Sequence, residues 1–194
     1  ENLGFALFLS SAVLYFVLTL YRTRVWLWTL ALITALSSYF IFFELDFARN
    51  WNIYLGLKLL LPSLLLLLPE LFFSKPIKEN SIWRLPPIEL GTILLGVNSI
   101  IIFADSRSEL WKATAIFGIY GLLLLFYALR HFKWLAYVSN IYFALSLLYL
   151  LRHLDVERWL FPFIALAILF YLLGWVLEKR ETPFVGLISI ATAL

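Results

Sequence analysis

Seven apolar stretches follow one another along this chain, each about as long as a bilayer is thick when coiled into a helix, with only short polar interruptions between them. They cover residues 3–21, 25–47, 53–73, 87–104, 110–129, 134–154 and 159–177, and an eighth opens at Pro183. A helix needs roughly 20 residues to cross about 30 Å of hydrocarbon. Lipid offers the backbone no hydrogen-bond partners, so only structures that satisfy their own amides can span it. The stretches are continuously apolar rather than alternating, and they far exceed the length of barrel strands, so helix is the required choice. The sequence therefore predicts an all-α, polytopic transmembrane helical bundle of about seven spans plus the start of an eighth. The fourth stretch is the weakest, because Asn98 and Ser99 interrupt it and Glu89 stands near its beginning.

The tryptophans mark where these spans end. Trp26, Trp28, Trp51, Trp83, Trp111, Trp134, Trp159 and Trp175 all lie beside clusters of charge. An indole keeps its ring in hydrocarbon and its N–H near water, so such a pattern outlines the two faces of a membrane. Charged residues make up 14% of the chain. A soluble domain carries about 25%, since water must wet its surface; here lipid takes that role. The net charge of +3 is scattered over short loops. That excludes the dense basic face a nucleic acid would need. With no cysteine in the chain, disulfides, thiolate zinc sites and thiol chemistry are excluded too.

Lysine and arginine suggest an orientation. One set of loops holds nine (Arg22, Arg24, Lys75, Lys78, Arg84, Arg130, Lys133, Lys179 and Arg180), and the other holds five (Arg49, Arg107, Lys112, Arg152 and Arg158). By the positive-inside tendency the richer side is cytoplasmic, and Glu1 begins on the other side. The chain lacks an initiator methionine and stops at Leu194 inside an apolar run. It therefore reads as one transmembrane domain over residues 1–194, taken from a longer protein.

A weak internal repeat runs through the spans. Trp26, Trp83 and Trp134 precede Asp46, Asp105 and Asp155 by 20, 22 and 21 residues, and each aspartate opens a turn that continues to Arg and then Trp. The spacing suggests tandem helical hairpins. Any span of one bilayer thickness with a belt tryptophan and a charged turn gives the same spacing, so the pattern is compatible with either origin.

Few residues offer chemistry. Lys58 lies five residues into the third stretch, a depth of about 7.5 Å at 1.5 Å per residue. Pro62 follows four residues later and cannot supply the amide that the Lys58 carbonyl would normally receive; Pro69 does the same to Leu65. One reading is a broken helix lining a polar pathway, with Glu44 and Asp46 as counter-charges across the turn. The other, favoured by the shallow depth, is that the ammonium snorkels to the interface and neighbouring groups satisfy the freed carbonyls. Asn98 is deeper, and an amide in hydrocarbon more often ties helices together than binds a ligand. Ser37, Ser38, Ser139 and Asn140 read the same way. Thr114, Gly118 and Gly121 suggest a close helix crossing, within the bundle or with a partner. The polar residues at Lys58, Asn98, Glu44 and Asp46 form the candidate binding site.

Metal and catalytic readings fare worse. His131 and His153 stand at opposite ends of one span, about 33 Å apart at 1.5 Å per residue, and cannot share an ion. Asp105 with Glu109, and Asp155 with Glu157, alternate with arginines in turns, as solvated and locally neutralised loops do. No zinc-helix, nucleophile-elbow or phosphate-loop pattern is present. No metal site and no cofactor is expected, and a non-enzymatic role is favoured. The sequence points to a structural, anchoring or assembly domain whose partners are the lipid bilayer and other membrane proteins meeting its helix faces. A transporter or channel with a polar site around Lys58 and Asn98 is the first alternative. An intramembrane enzyme acting on a lipid-like substrate is the second.

Overall fold

A computed structural model describes residues 2–45, 53–72, 83–105, 109–130 and 134–179. Among them are seven α-helices and no strand. They are α1 (Asn2–Arg22), α2 (Val25–Glu44), α3 (Leu55–Phe72), α4 (Leu85–Asp105), α5 (Leu110–Arg130), α6 (Leu135–His153) and α7 (Leu160–Lys179). The chain is an all-α helical bundle. Five helices, α1, α2, α4, α5 and α6, are long and apolar enough to cross a membrane. Several helices of this kind mark the chain as a membrane protein. The seventh predicted span is α7, a helix of 20 residues, and the eighth lies outside the described residues.

Turn chemistry sets the helix boundaries. Between α1 and α2 the chain reverses at Thr23, whose φ of 42° is left-handed, and its N–H closes the last turn on the Thr19 carbonyl at 2.8 Å. Arg24 then enters α2 from extended backbone. At the other end of α2 the expected span to residue 47 is shorter, because Leu45 turns extended and donates its N–H to the Phe42 carbonyl. The fourth span starts earlier than expected, at Leu85. Pro86 and Pro87 fall in the first turn, where the absent amides would have had no helical partner. After α6, Asp155 takes a φ of 49°. Val156 N–H bonds the Leu151 carbonyl at 3.1 Å and Asp155 N–H the Arg152 carbonyl at 3.4 Å, which is a Schellman stop with aspartate in place of glycine.

The helices fall into two compact units, Glu1–Leu94 and Leu95–Leu194, with α4 contributing to both. In the first unit, α1 and α2 form an antiparallel hairpin. Phe5 near the start of α1 meets Phe42 near the end of α2, with ring centroids 6.1 Å apart, and Phe16 meets Trp28 at 5.7 Å. Close approach of α4 to α3 depends on Gly91, where a Cβ would lie 2.7 Å from Leu67 Cγ and 3.1 Å from Leu66 Cβ. The second unit has the denser core. Ile102, Ala113, Ile116, Phe117, Tyr120 and Ala136 are all completely buried.

α5 and α6 form the other antiparallel hairpin, and they cross at the small residues singled out in the sequence. A Cβ on Gly118 would stand 3.3 Å from Ser146 Oγ, and one on Gly121 3.1 Å from the Phe143 ring. Ser146 Oγ donates to the Thr114 carbonyl and Ser139 Oγ to the Gly121 carbonyl, both at 2.8 Å. The close crossing is thus internal to the bundle.

Candidate functional site

Lys58 sits in the first turn of α3, half-buried. Its carbonyl, deprived of a helical amide by Pro62, accepts a hydrogen bond from the Tyr39 hydroxyl of α2 at 2.8 Å. The ammonium stands 5.0 Å from the centroid of the Phe43 ring, a cation–π distance. Glu44, next to Phe43, is exposed at the end of α2. Among the described residues no ion pair joins it to Lys58. Asp46 lies outside the described residues.

Asn98 belongs to the second unit and Lys58 to the first, and each is held within its own unit. Fully buried in α4, Asn98 donates its amide to the Tyr120 hydroxyl of α5 at 2.7 Å. The neighbouring Ser99 hydroxyl shares a 2.7 Å hydrogen bond with that of Tyr142 on α6. The rings of Tyr120 and Tyr142 meet edge to face at 6.0 Å, and Phe117 stacks on Tyr149 at 5.4 Å. Three helices are therefore joined by amide, hydroxyl and aromatic contacts around residues 98–99. Ser37 and Ser38 behave otherwise than expected. Both bond carbonyls of their own helix, Ser37 to Ile33 and Ser38 to Thr34 at 2.9 Å each, and so tie no helices together. Asn140, also buried, lines a groove of about 330 Å³ against Phe163 and Phe170 of α7.

The most polar buried feature is one that sequence reasoning missed. Glu70, near the end of α3, pairs with Arg84, which stands just before α4. The Arg84 Nε lies 2.9 Å from Glu70 Oε2, and Nη2 meets Oε1 to complete a two-pronged contact. Their side chains are 3% and 15% exposed, so this is a buried ion pair. Beside it, Trp28 Nε1 donates to the Trp83 carbonyl at 3.3 Å, and the two indoles lie 5.4 Å apart. Phe16 adds a third ring, 6.5 Å from Trp83. The ion pair and the two indoles border a groove of about 400 Å³ whose walls include Leu65 and Ile88. A signal for it exists in the sequence. Glu70 is a carboxylate inside an apolar stretch, and a charge so placed needs a partner. Arg84 looks like one of many loop cations, because 14 residues separate the two.

No family model, curated protein or solved structure matches the chain.

The remaining titratable residues are dispersed. Glu109 pairs locally with Lys112 at 2.6 Å, and Lys112 in turn lies 5.7 Å from the Trp111 ring. Glu157 and Arg158 are exposed in the turn after α6, as is Asp155. His153 is exposed at the end of α6, while His131 lies outside the described residues. Among the described residues no three His, Asp or Glu side chains come together as metal ligands would.

Proposed function

We propose that this chain is a membrane-embedded scaffold, a helical domain that anchors or assembles a larger protein or complex. The observation that carries the reading is how its intramembrane polar groups are employed. Asn98, Ser99, Ser139 and Ser146 each hydrogen-bond a neighbouring helix, and Tyr39 caps the carbonyl freed by Pro62. A transport pathway needs such groups to face a shared aqueous route. Here they serve helix packing, a contribution of roughly 0.6–2 kcal/mol apiece. Broad apolar faces on α1 and α7, including Leu7, Leu14, Ile164 and Ile168, are exposed and suit lipid or a partner helix. The lysine and arginine bias supports a non-cytoplasmic start for the chain.

The test is flux. Purified protein in liposomes should carry no proton or monovalent-cation current above that of empty vesicles, and Lys58→Leu should keep its helix content and leave the result unchanged. A current that is present in the parent chain and vanishes in a folded Lys58→Leu variant would establish the transporter alternative instead.

A further inference from the structure

We propose that the turn between α1 and α2 holds one anionic phospholipid, with its phosphate on Arg24 and Arg22 and an acyl chain along the first turns of α2. The inference rests on membrane residence and holds whether the domain is a scaffold or a transporter. An open groove of about 760 Å³ lies at this turn, room enough for part of a lipid. Thr23 and Arg24 line it from the turn, and Val25, Trp26, Thr29 and Leu30 line it from α2. The four helical residues form two pairs spaced by four, so they share one side of the helix. Leu30 stands six residues beyond Arg24. At 1.5 Å per residue that is about 9 Å farther along the axis. The groove thus has a cationic end and an apolar end. Trp26, 59% exposed, stands between them, and an indole at a helix end lies at the level of lipid headgroups.

Charge selects the headgroup. Arg22 and Arg24 are both exposed, and among the described residues neither guanidinium makes a hydrogen bond or an ion pair. The described carboxylates of this unit do not neutralise them. Glu44 ends the opposite end of α2, Glu70 is closed on Arg84, and Glu89 on α4 pairs with neither arginine. Thr29 donates its hydroxyl to the Val25 carbonyl at 3.1 Å, and Arg24 is the one charged group in the lining. A guanidinium fork takes a phosphate by two parallel hydrogen bonds. Phosphatidylcholine offers the same phosphate but adds an ammonium, which two arginines repel. A diacylglycerol has no phosphate, and free phosphate has no chain for the apolar end. A lipid of net negative charge answers both ends of the groove.

The experiment is lipid retention by the delipidated chain in an uncharged detergent, read by native mass spectrometry. Phosphatidylglycerol, phosphatidylcholine and diacylglycerol with identical acyl chains are supplied in turn, each with and without excess inorganic phosphate. We expect one phosphatidylglycerol per chain, held roughly thirtyfold more tightly than phosphatidylcholine, at about fivefold for each cation beside an anionic lipid. Diacylglycerol should be held no better than phosphatidylcholine, and phosphate should not displace the lipid. Arg24→Gln should cut the preference about fivefold. Joining it to Arg22→Gln should remove the preference, with helix content unchanged. Arg130→Gln, at an exposed helix end in the second unit, should leave it intact. Should the double variant misfold, Val25→Trp fills the groove from an exposed position and should lower phosphatidylglycerol retention instead. Equal retention of the two phospholipids or displacement by inorganic phosphate would overturn the proposal. So would a preference that survives the double substitution, retention unaltered in folded Val25→Trp, or an equal loss in Arg130→Gln.

Discussion

At the scale of single residues, the buried charges carry the largest energies. Removing one partner of a buried ion pair leaves the other uncompensated, at a cost of about 3–5 kcal/mol. Glu70→Gln alone should therefore lower the thermal midpoint of the detergent-solubilised protein steeply. Joining it to Arg84→Met, so that no full charge remains, should recover most of the loss. A double variant no more stable than Glu70→Gln would mean that the pair is not what holds this end of the first unit. Lys58 belongs to a milder class: its ammonium is half-buried over Phe43, and a contact of that kind contributes about 0.5–1 kcal/mol when exposed. The role of Asn98 is legible in the sequence, because an amide deep in hydrocarbon must find a partner. Its partner is not legible, since nothing local in the sequence connects it with Tyr120, 22 residues away. Ser37 and Ser38 show the opposite limit. A hydroxyl on a helix can satisfy itself on the preceding turn, so its presence alone does not predict a neighbour.

At the scale of elements, span length predicts helix, and polar punctuation predicts boundaries less well. α2 ends early because Leu45 leaves helical geometry, and α4 starts early because proline suits a first turn. The stretch with the weakest apolar signal is a full helix of 21 residues, its Asn98 and Ser99 engaged by tyrosines on α5 and α6. Two glycines in α4 separate packing from propensity. Gly91→Ala would push a methyl against Leu67 Cγ and Leu66 Cβ, atoms close to the α3 backbone that cannot swing away. Overpacking of this kind costs about 1–3 kcal/mol. A methyl on Gly96 would meet no heavy atom within 4 Å, so Gly96→Ala should be neutral or gain up to about 1 kcal/mol through helix propensity. Thermal unfolding followed by circular dichroism would read both, and equal effects would contradict the tight α3–α4 approach. Thr23 is a third case. A β-branched residue at φ 42° is strained by roughly 1–2 kcal/mol, so Thr23→Gly should raise the midpoint by relieving it.

At the scale of the whole molecule, membrane residence makes a direct prediction that the absence of cysteine makes easy to check. In liposomes, Val13→Cys on α1 and Ile119→Cys on α5 should resist a water-soluble maleimide, although both side chains are exposed on the protein. Glu157→Cys, in the polar turn after α6, should react readily if its side of the membrane is accessible, and in opened vesicles regardless. Rapid labelling at the first two sites would mean that water rather than lipid covers them. The helical class and the membrane setting are readable because they follow from length and apolarity, which are local. The Glu70–Arg84 groove is not, because it is assembled from the ends of three helices whose meeting depends on packing.

The α5–α6 crossing has a consequence for how the chain is made. Its two hydroxyl bonds end on main-chain oxygens, Thr114 and Gly121, which no side-chain substitution removes and which keep a second lone pair for the helix itself. During synthesis α5 emerges first, and the second lone pair of each of those oxygens has no hydroxyl to accept from until Ser139 and Ser146 follow. The two segments then have reason to leave the insertion machinery as a joined pair, with the second escorting the first into lipid.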